Sequence, residues 1–274
     1  MKVLRLLDRP SFFGEAYRTF MAEQEMKNRV IFITGGNSGI GLETALRFAE
    51  EGAHIAIFSR REKQNMIARN QIIPYGVECL TFSGNVTREG EVKLAIQKTV
   101  DKLGRLDYAF NNAGLEQFPT PIFQQSEKEF QTIMDVNLKG VWLCMKHELP
   151  YIVQSGGGVI VNNASVTGIV ATDMVAAFVA AKHGVVGLSK AAALEYIAAN
   201  VRVNAICPAG VETPMLDRLL VKNPDARKEI DAYHPIGRCA TAREIAEAVY
   251  WLCSPKSSFI TGHALVIDGG ASIR

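Results

Sequence analysis

The sequence predicts an α/β fold in which one doubly wound parallel sheet of about seven strands is covered by helices on both faces. Two observations carry this. From residue 29 onward, short β-branched apolar runs alternate with helix-length stretches, and no linker separates them. The runs are apolar at successive positions rather than at every second one, as strands buried on both faces must be. Strand–helix–strand units of this kind close through right-handed crossovers.

The elements follow in order. Val30–Thr34 predicts a first strand that feeds a glycine-rich turn and a helix over Gly41–Glu51. His54–Ser59 and Glu78–Phe82 read as the next strands, and Glu89–Leu103 as an amphipathic helix. Asp107–Asn111 predicts the fourth strand and Glu127–Gln154 one long helix; Val159–Asn163 predicts the fifth strand and Ala176–Ala199 another long helix. Val201–Cys207, a helix over Ala242–Leu252 and a last strand over Ala264–Ile267 complete the series. No repeat or low-complexity tract interrupts it. The expected organisation is an N-terminal extension over residues 1–28 and a single domain over residues 29–274 holding both cofactor and substrate sites. The extension lacks the uninterrupted apolar core of a signal peptide, and Asp8 and Glu15 argue against a transit peptide. It is expected to pack on the body or on a neighbouring subunit.

With a formal charge of +2 over 274 residues, the chain offers no field strong enough to imply nucleic acid or a membrane surface as a partner. No apolar run approaches the roughly 20 residues of a membrane span. Cys79, Cys144, Cys207, Cys239 and Cys253 are scattered, without C-x-x-C spacing. They read as reduced, buried thiols of a cytoplasmic protein, with no metal and no disulfide.

The first strand runs into Thr34-Gly35-Gly36-Asn37-Ser38-Gly39-Ile40-Gly41 and then an amphipathic helix. Glycines belong there because the chain turns sharply and its backbone must approach a pyrophosphate, which the helix N-terminus then holds. A glycine pattern at the first strand–helix junction of an alternating chain is far more specific than one standing alone.

Further marks follow in order. Asn111-Asn112-Ala113-Gly114 comes after the fourth strand, Asn137 in the next helix and Ser165 after the fifth strand. Lys182 lies in the following helix, Pro208-Ala209-Gly210-Val211-Glu212-Thr213 after the sixth strand, and Asp268-Gly269-Gly270 near the end. Over residues 28 to 272 the chain resembles the classical short-chain dehydrogenase/reductase family, a Rossmann-type fold. The resemblance implies hydride transfer between a nicotinamide and an alcohol or ketone, a small-molecule substrate. It also implies a nucleotide site of Gly35, Asn37, Ser38, Gly39, Ile40, Gly41, Asn112, Ala113, Gly114, Lys182, Pro208, Gly210, Val211 and Thr213. Adenine recognition often uses an Asp-Val pair after the third strand; here the pair is Asn85-Val86.

Cofactor choice rests on the end of the second strand, Ile57-Phe58-Ser59-Arg60-Arg61. An NAD site usually places a carboxylate there for the ribose 2′-hydroxyl. Ser59 takes that place, while Arg60 and Arg61 offer guanidinium groups suited to a 2′-phosphate. NADP is therefore expected ahead of NAD, although Asn37 is neutral where many NADP-preferring relatives carry a basic residue.

In the family a Tyr exchanges a proton with the substrate oxygen, and a Lys four residues later binds the ribose and lowers the phenol pKa. A Ser holds the substrate oxygen, and an Asn helps to organise a relay water. Asn137, Ser165 and Lys182 match these positions, and residues 178 and 182 share a helix face. Position 178 is Phe. A phenyl ring has no proton to give, and loss of a general acid removes about 10² to 10⁴ in rate. Three readings stand side by side: an engineered Tyr→Phe substitution in an impaired enzyme, a natural loss leaving a catalytically silent binding or regulatory protein, and non-redox chemistry.

Substrate identity is expected in the loop Leu115 to Phe123 and in Met215 to Gly237, which resembles the family's mobile lid. Phe118, Met215, Leu216, Leu219 and Leu220 suit an apolar substrate, with Gln117 and His234 as polar contacts. His183 points away from Lys182, towards packing. The helices Glu127–Gln154 and Ala176–Ala199 resemble those of four-helix interfaces, so a homotetramer is expected.

Overall fold

The computed structural model describes residues 26–222 and 226–273; of the N-terminal extension it describes residues 26–28, with Met26 buried in the core, and the packing expected of residues 1–25 lies outside the described residues. The strands are β1 (Val30–Thr34), β2 (His54–Ser59), β3 (Cys79–Ser83), β4 (Tyr108–Asn111), β5 (Gly158–Asn163), β6 (Val201–Pro208), β7 (Val211–Glu212), β8 (Ala240–Thr241) and β9 (Ala264–Ile267). Seven of them form one sheet in the order β3-β2-β1-β4-β5-β6-β9, parallel throughout. The chain builds outward from β1 to β3, then crosses back to lay β4 on the other side of β1. That reversal opens a crevice above the carboxyl ends of β1 and β4, where doubly wound sheets bind ligands.

The helices are α1 (Gly39–Glu50), α2 (Glu62–Ile72), α3 (Glu89–Leu103), α4 (Glu127–Met134), α5 (Gly140–Gln154), α6 (Ala176–Tyr196), α7 (Pro214–Lys222), α8 (Ala226–Tyr233) and α9 (Ala242–Cys253). Two apolar layers bind them to the sheet. Val92 and Ile96 of α3, Val141 and Leu149 of α5 and Val185 of α6 pack on one face. Phe48 of α1, Ala68 of α2 and Ile245 and Val249 of α9 pack on the other. Each large side chain so buried contributes about 1.5–3 kcal/mol. Near the amino end of β4, the buried Asp107 carboxylate accepts from Val30 N, Arg29 and Arg105, tying β1 to β4.

Several expectations shift. The single helix over Glu127–Gln154 is α4 and α5 joined by a π turn, Asp135–Lys139, which the 3.6-residue period of the sequence does not reveal. The last turn expected of Ala176–Ala199 is 3₁₀, over Ile197–Ala199. The lid segment contains α7 and α8, and the short parallel pair β7–β8 lies on either side of it. All five cysteines are free and buried. Burial pushes the thiols of Cys79 and Cys253 up to about 12 and those of Cys207 and Cys239 to about 11. Among the described residues no helix is long and apolar enough to cross a membrane.

Candidate active site

The glycine loop lies at the crevice, and its shape depends on missing Cβ atoms. Gly35 (φ +64°) and Gly39 (φ +53°) adopt left-handed backbone. A Cβ on Gly41 would overlap Gly35 O and Asn112 Nδ2. Asn112 braces the loop: its backbone N–H and that of Ala113 both donate to Thr34 Oγ1 (3.0 Å), and its Nδ2 donates to Thr34 O (3.1 Å). The α1 N-cap, Ser38, makes no side-chain cap bond, so that turn's N–H groups remain available to an anion.

A cleft of about 400 Å³ opens here, the size of a small-molecule site. Gly35, Asn37, Ser38, Gly39 and Ile40 line one wall, Asn112, Ala113 and Gly114 the floor, and Asn85 and Val86 a side. Thr213 reaches the rim, with Pro214, Met215 and Arg218 of the lid. Gly41 lies beneath the loop instead. Pro208, Gly210 and Val211 do not line the cleft: Gly210 is packed against His234 and Cys239, where a Cβ would come within 2.8 Å of the imidazole.

At the end of β2, Ser59, Arg60 and Arg61 all line the cleft. Ser59 belongs to a buried polar knot in which Asn37 Nδ2 donates to Ser59 Oγ and to Asn65 Oδ1 (2.8 Å), and Ser59 Oγ donates to Asn65 Oδ1. Asn65, on α2, was not anticipated; its signal is a polar residue on the apolar stripe of an amphipathic helix. Arg60 and Arg61 are exposed at the mouth. The Arg218 fork holds Glu116 across the lid, and this ion pair, with Arg60 nearby, keeps the Glu116 carboxyl below the usual carboxylate range.

Lys182 is only 5% exposed; its Nζ donates to Asn163 O (2.7 Å) and stands 5.4 Å from the Phe178 ring centroid. Burial pushes its ammonium down to about 8. Asn137 sits in the π turn, fully buried, and its amide clamps the Leu115 peptide: Leu115 N donates to Oδ1 (2.8 Å) and Nδ2 donates to Leu115 O (2.9 Å). Each side-chain function thus makes one bond to the chain itself and retains a second N–H or lone pair. Gly114 lies between these residues; a Cβ there would be 3.1 Å from Asn137 Oδ1 and 4.0 Å from Lys182 Nζ. Ser165 caps the 3₁₀ turn Val166–Gly168, accepting from Thr167 N (3.2 Å) and donating weakly to Pro208 O (3.4 Å). That turn packs on the Lys182 carbonyl through Gly168.

Of the two expected polar contacts, one is engaged at both ring nitrogens and the other at its oxygen alone. His234 is buried, Nδ1 donating to Ile230 O (2.7 Å) and Nε2 accepting from Gly210 N (2.9 Å), which makes it a clamp under the lid. Gln117 is buried as well; its Oε1 accepts from Phe178 N (2.9 Å), while its Nε2 has no partner among the described residues. His183 is exposed and bonds back to Val179 O, turned away from Lys182 rather than packed. Asn163, also unforeseen, links the site: its Nδ2 donates to Asn112 Oδ1 (2.9 Å) while its carbonyl holds Lys182.

A family model described as enoyl-(acyl carrier protein) reductase matches residues 35–272. A γ-butyrolactone 1′-reductase (1S-forming, A-factor type) of Streptomyces virginiae is 39% identical over 249 residues, covering 90% of this chain and 97% of its own. The chain belongs to the short-chain dehydrogenase/reductase family. Within the family, a cyclohexanol dehydrogenase of Acinetobacter sp. (strain SE19) is 35% identical, covering 89% of this chain and 95% of its own. The crystal structure of carveol dehydrogenase from Mycobacterium avium in complex with NAD superposes with a TM-score of 0.88 at 29% identity, over 91% of this chain and 99% of that one.

Proposed function

We propose that this short-chain dehydrogenase/reductase is an NADP(H)-preferring oxidoreductase for alcohol/ketone interconversion, with proton transfer impaired by Phe178 in the place of the general acid. The observation that carries the reading is Lys182: a buried ammonium anchored by Asn163 O, over the Phe178 ring and close to Gly114, where a Cβ would lie 4.0 Å from Nζ. The loop fits a dinucleotide, because its left-handed glycines and the uncapped α1 N-terminus leave room and donors for a pyrophosphate. The cofactor supplies a hydride acceptor or donor. Lys182 would bind the ribose, Ser165 would hold the substrate oxygen, and Asn137 would fix the loop that shapes the floor.

The end of β2 supports NADP(H): Ser59 is occupied by Asn37 and Asn65, no carboxylate replaces it, and two exposed guanidinium groups stand at the mouth. NADPH should bind at least about tenfold more tightly than NADH, a preference of about 1.4 kcal/mol, and Arg60→Ala should remove most of it. Fluorescence titration decides; equal affinities overturn the assignment. Phe178 itself favours a second reading, a catalytically silent nucleotide-binding protein, which gains if no substrate responds to a restored hydroxyl. We assign a homotetramer of roughly 120 kDa. The apolar groove lined by Met134, Leu138, Trp142 and Leu188 on α4, the π turn, α5 and α6 supports it, and light scattering tests it.

A further inference from the structure

A buried polar chain beneath the cleft is one hydrogen short. Ser189 on α6 donates its hydroxyl to the Val185 carbonyl (2.7 Å), which can only accept. Its oxygen therefore accepts from Asn162 Nδ2 (2.9 Å), and Asn162 presents Oδ1 to Asn111 Nδ2 (3.0 Å). Asn111 Nδ2 also donates to Glu148 Oε2 on α5 (3.0 Å). One helix carbonyl thus sets the direction of every bond. Flipping the Asn111 amide would set its oxygen against Asn162 Oδ1. All four side chains are buried.

Asn111 Oδ1 and Glu148 Oε1 are left without a partner. Both are acceptors if the carboxyl is ionised, and they belong to two planar groups already joined by an N–H···O bond. A carboxylic acid facing an amide satisfies both with a single proton. We propose that Glu148 is a neutral acid whose hydroxyl donates to Asn111 Oδ1, a two-point pair that makes it a positioning residue for the nucleotide cleft.

The surroundings agree. Burial raises the Glu148 carboxyl to about 8, against only the Asn111 bond lowering it. The titratable group that acts with it is Cys144, one turn earlier on α5, whose own thiol burial pushes well above its ordinary range. Lys146 and His147 of α5 turn to Glu89 of α3, and Lys182 of α6 is held by Asn163 O. β4 and β5 face Glu148 with the neutral Asn111 and Asn162. The pair fixes the two strand ends from which the cleft is built: the residue after Asn111 is Asn112, which braces the glycine loop, and the residue after Asn162 is Asn163, which holds Lys182.

Isotope-edited infrared spectra of carboxyl-labelled protein test the proton directly. A protonated-acid carbonyl band is expected in the unmodified chain, absent from Glu148→Gln, and lost as pH rises past about 8. Gln supplies N–H where the acid supplies O–H, so Glu148→Gln should hold NADPH within about twofold of the unmodified chain, whereas Glu148→Ala should weaken it at least about tenfold. Lys182 titrates in both the unmodified chain and Glu148→Gln, so the ratio of their affinities across about pH 7 to 9 isolates Glu148, and it should widen as pH rises. No acid band at about pH 6, or a Gln variant as weak as the Ala variant, overturns the proposal. The affinity arm rests on the nucleotide-binding reading above and the infrared arm does not, so failure of binding alone leaves the acid band to decide; if the Ala variant does not fold, the band and the Gln variant still decide.

Discussion

Restoring a hydroxyl at residue 178 should raise kcat/KM by about 10² to 10⁴. Lys182 Nζ lies 5.4 Å from the ring centroid. At an effective dielectric of about 20, opposite charges about 5.5 Å apart attract by about 3 kcal/mol. That equals about two pK units, enough to bring a phenol from about 10 toward about 8. Burial holds Lys182 itself at about 8, so the ammonium is charged and effective below that pH. The ring gains one oxygen at a half-buried site, and Lys182 keeps its bond to Asn163 O, so cofactor affinity should change by less than about twofold. The assay is NADPH absorbance for Phe178→Tyr and the unmodified chain on a panel of cyclic and linear ketones and alcohols. Ser165→Ala in the Tyr background should remove most of the gain, since two groups holding one oxygen are non-additive. No gain on any substrate sinks the redox reading. An unmodified chain that already reaches about 10⁴ M⁻¹s⁻¹ or more shows that another acid serves.

Three further outcomes follow from packing and charge. Stability should fall as pH rises from about 4.5 to about 8, and above that Lys182 should work against the further loss that the five buried thiols impose. Glu148 binds its proton more tightly folded than unfolded, so its contribution, full below its ordinary 4.5, is lost as pH rises to about 8. Lys182 is depressed from 10.5 to about 8, so its contribution returns only as pH climbs through that window. Each group changes the slope by at most about 1.4 kcal/mol per pH unit; urea melts should show Glu148→Gln flattening the fall below about pH 8 and Lys182→Met steepening it above, and unchanged slopes refute the assignments. Gly41→Ala, whose methyl must displace Gly35 O or Asn112, should cost about 1–3 kcal/mol of stability and weaken NADPH by about tenfold or more, read by calorimetry. Asp107→Ala strands Val30 N–H between two strands. It should cost about 2–3 kcal/mol and lower Tm by roughly 5–10 °C.

The sheet was legible because its strands are buried on both faces and therefore apolar throughout; all seven expected strands lie within a residue of their observed ends, β3 being shifted whole by one. The glycine loop was legible because left-handed backbone and close approach leave glycine few substitutes. What the sequence hid are contacts made by ordinary residues at long range. Asn163 resembles any strand-end amide until β5 brings it under the cleft, and Asn65 offers only the hint of a polar residue on the apolar stripe of α2. His234 resembled a substrate ligand because side-chain chemistry alone does not tell a group facing a pocket from one facing a backbone. Glu148 reads as a solvent-facing helix residue, since nothing in Lys146-His147-Glu148-Leu149 marks which of its polar members turns inward.

The π turn over Asp135–Lys139 has a mechanical consequence. A residue accommodated beyond the α-helical repeat advances the downstream helix by about 100° and 1.5 Å relative to an uninterrupted one. Asn137 can embrace the Leu115 peptide on one side of this turn while Trp142 faces outward on the other only because that residue is there. The turn works as a vernier between the inner and outer surfaces of one helical rod. A one-residue deletion within it would force a choice: keep the floor of the cleft and rotate the groove residues away, or keep the groove and release Leu115.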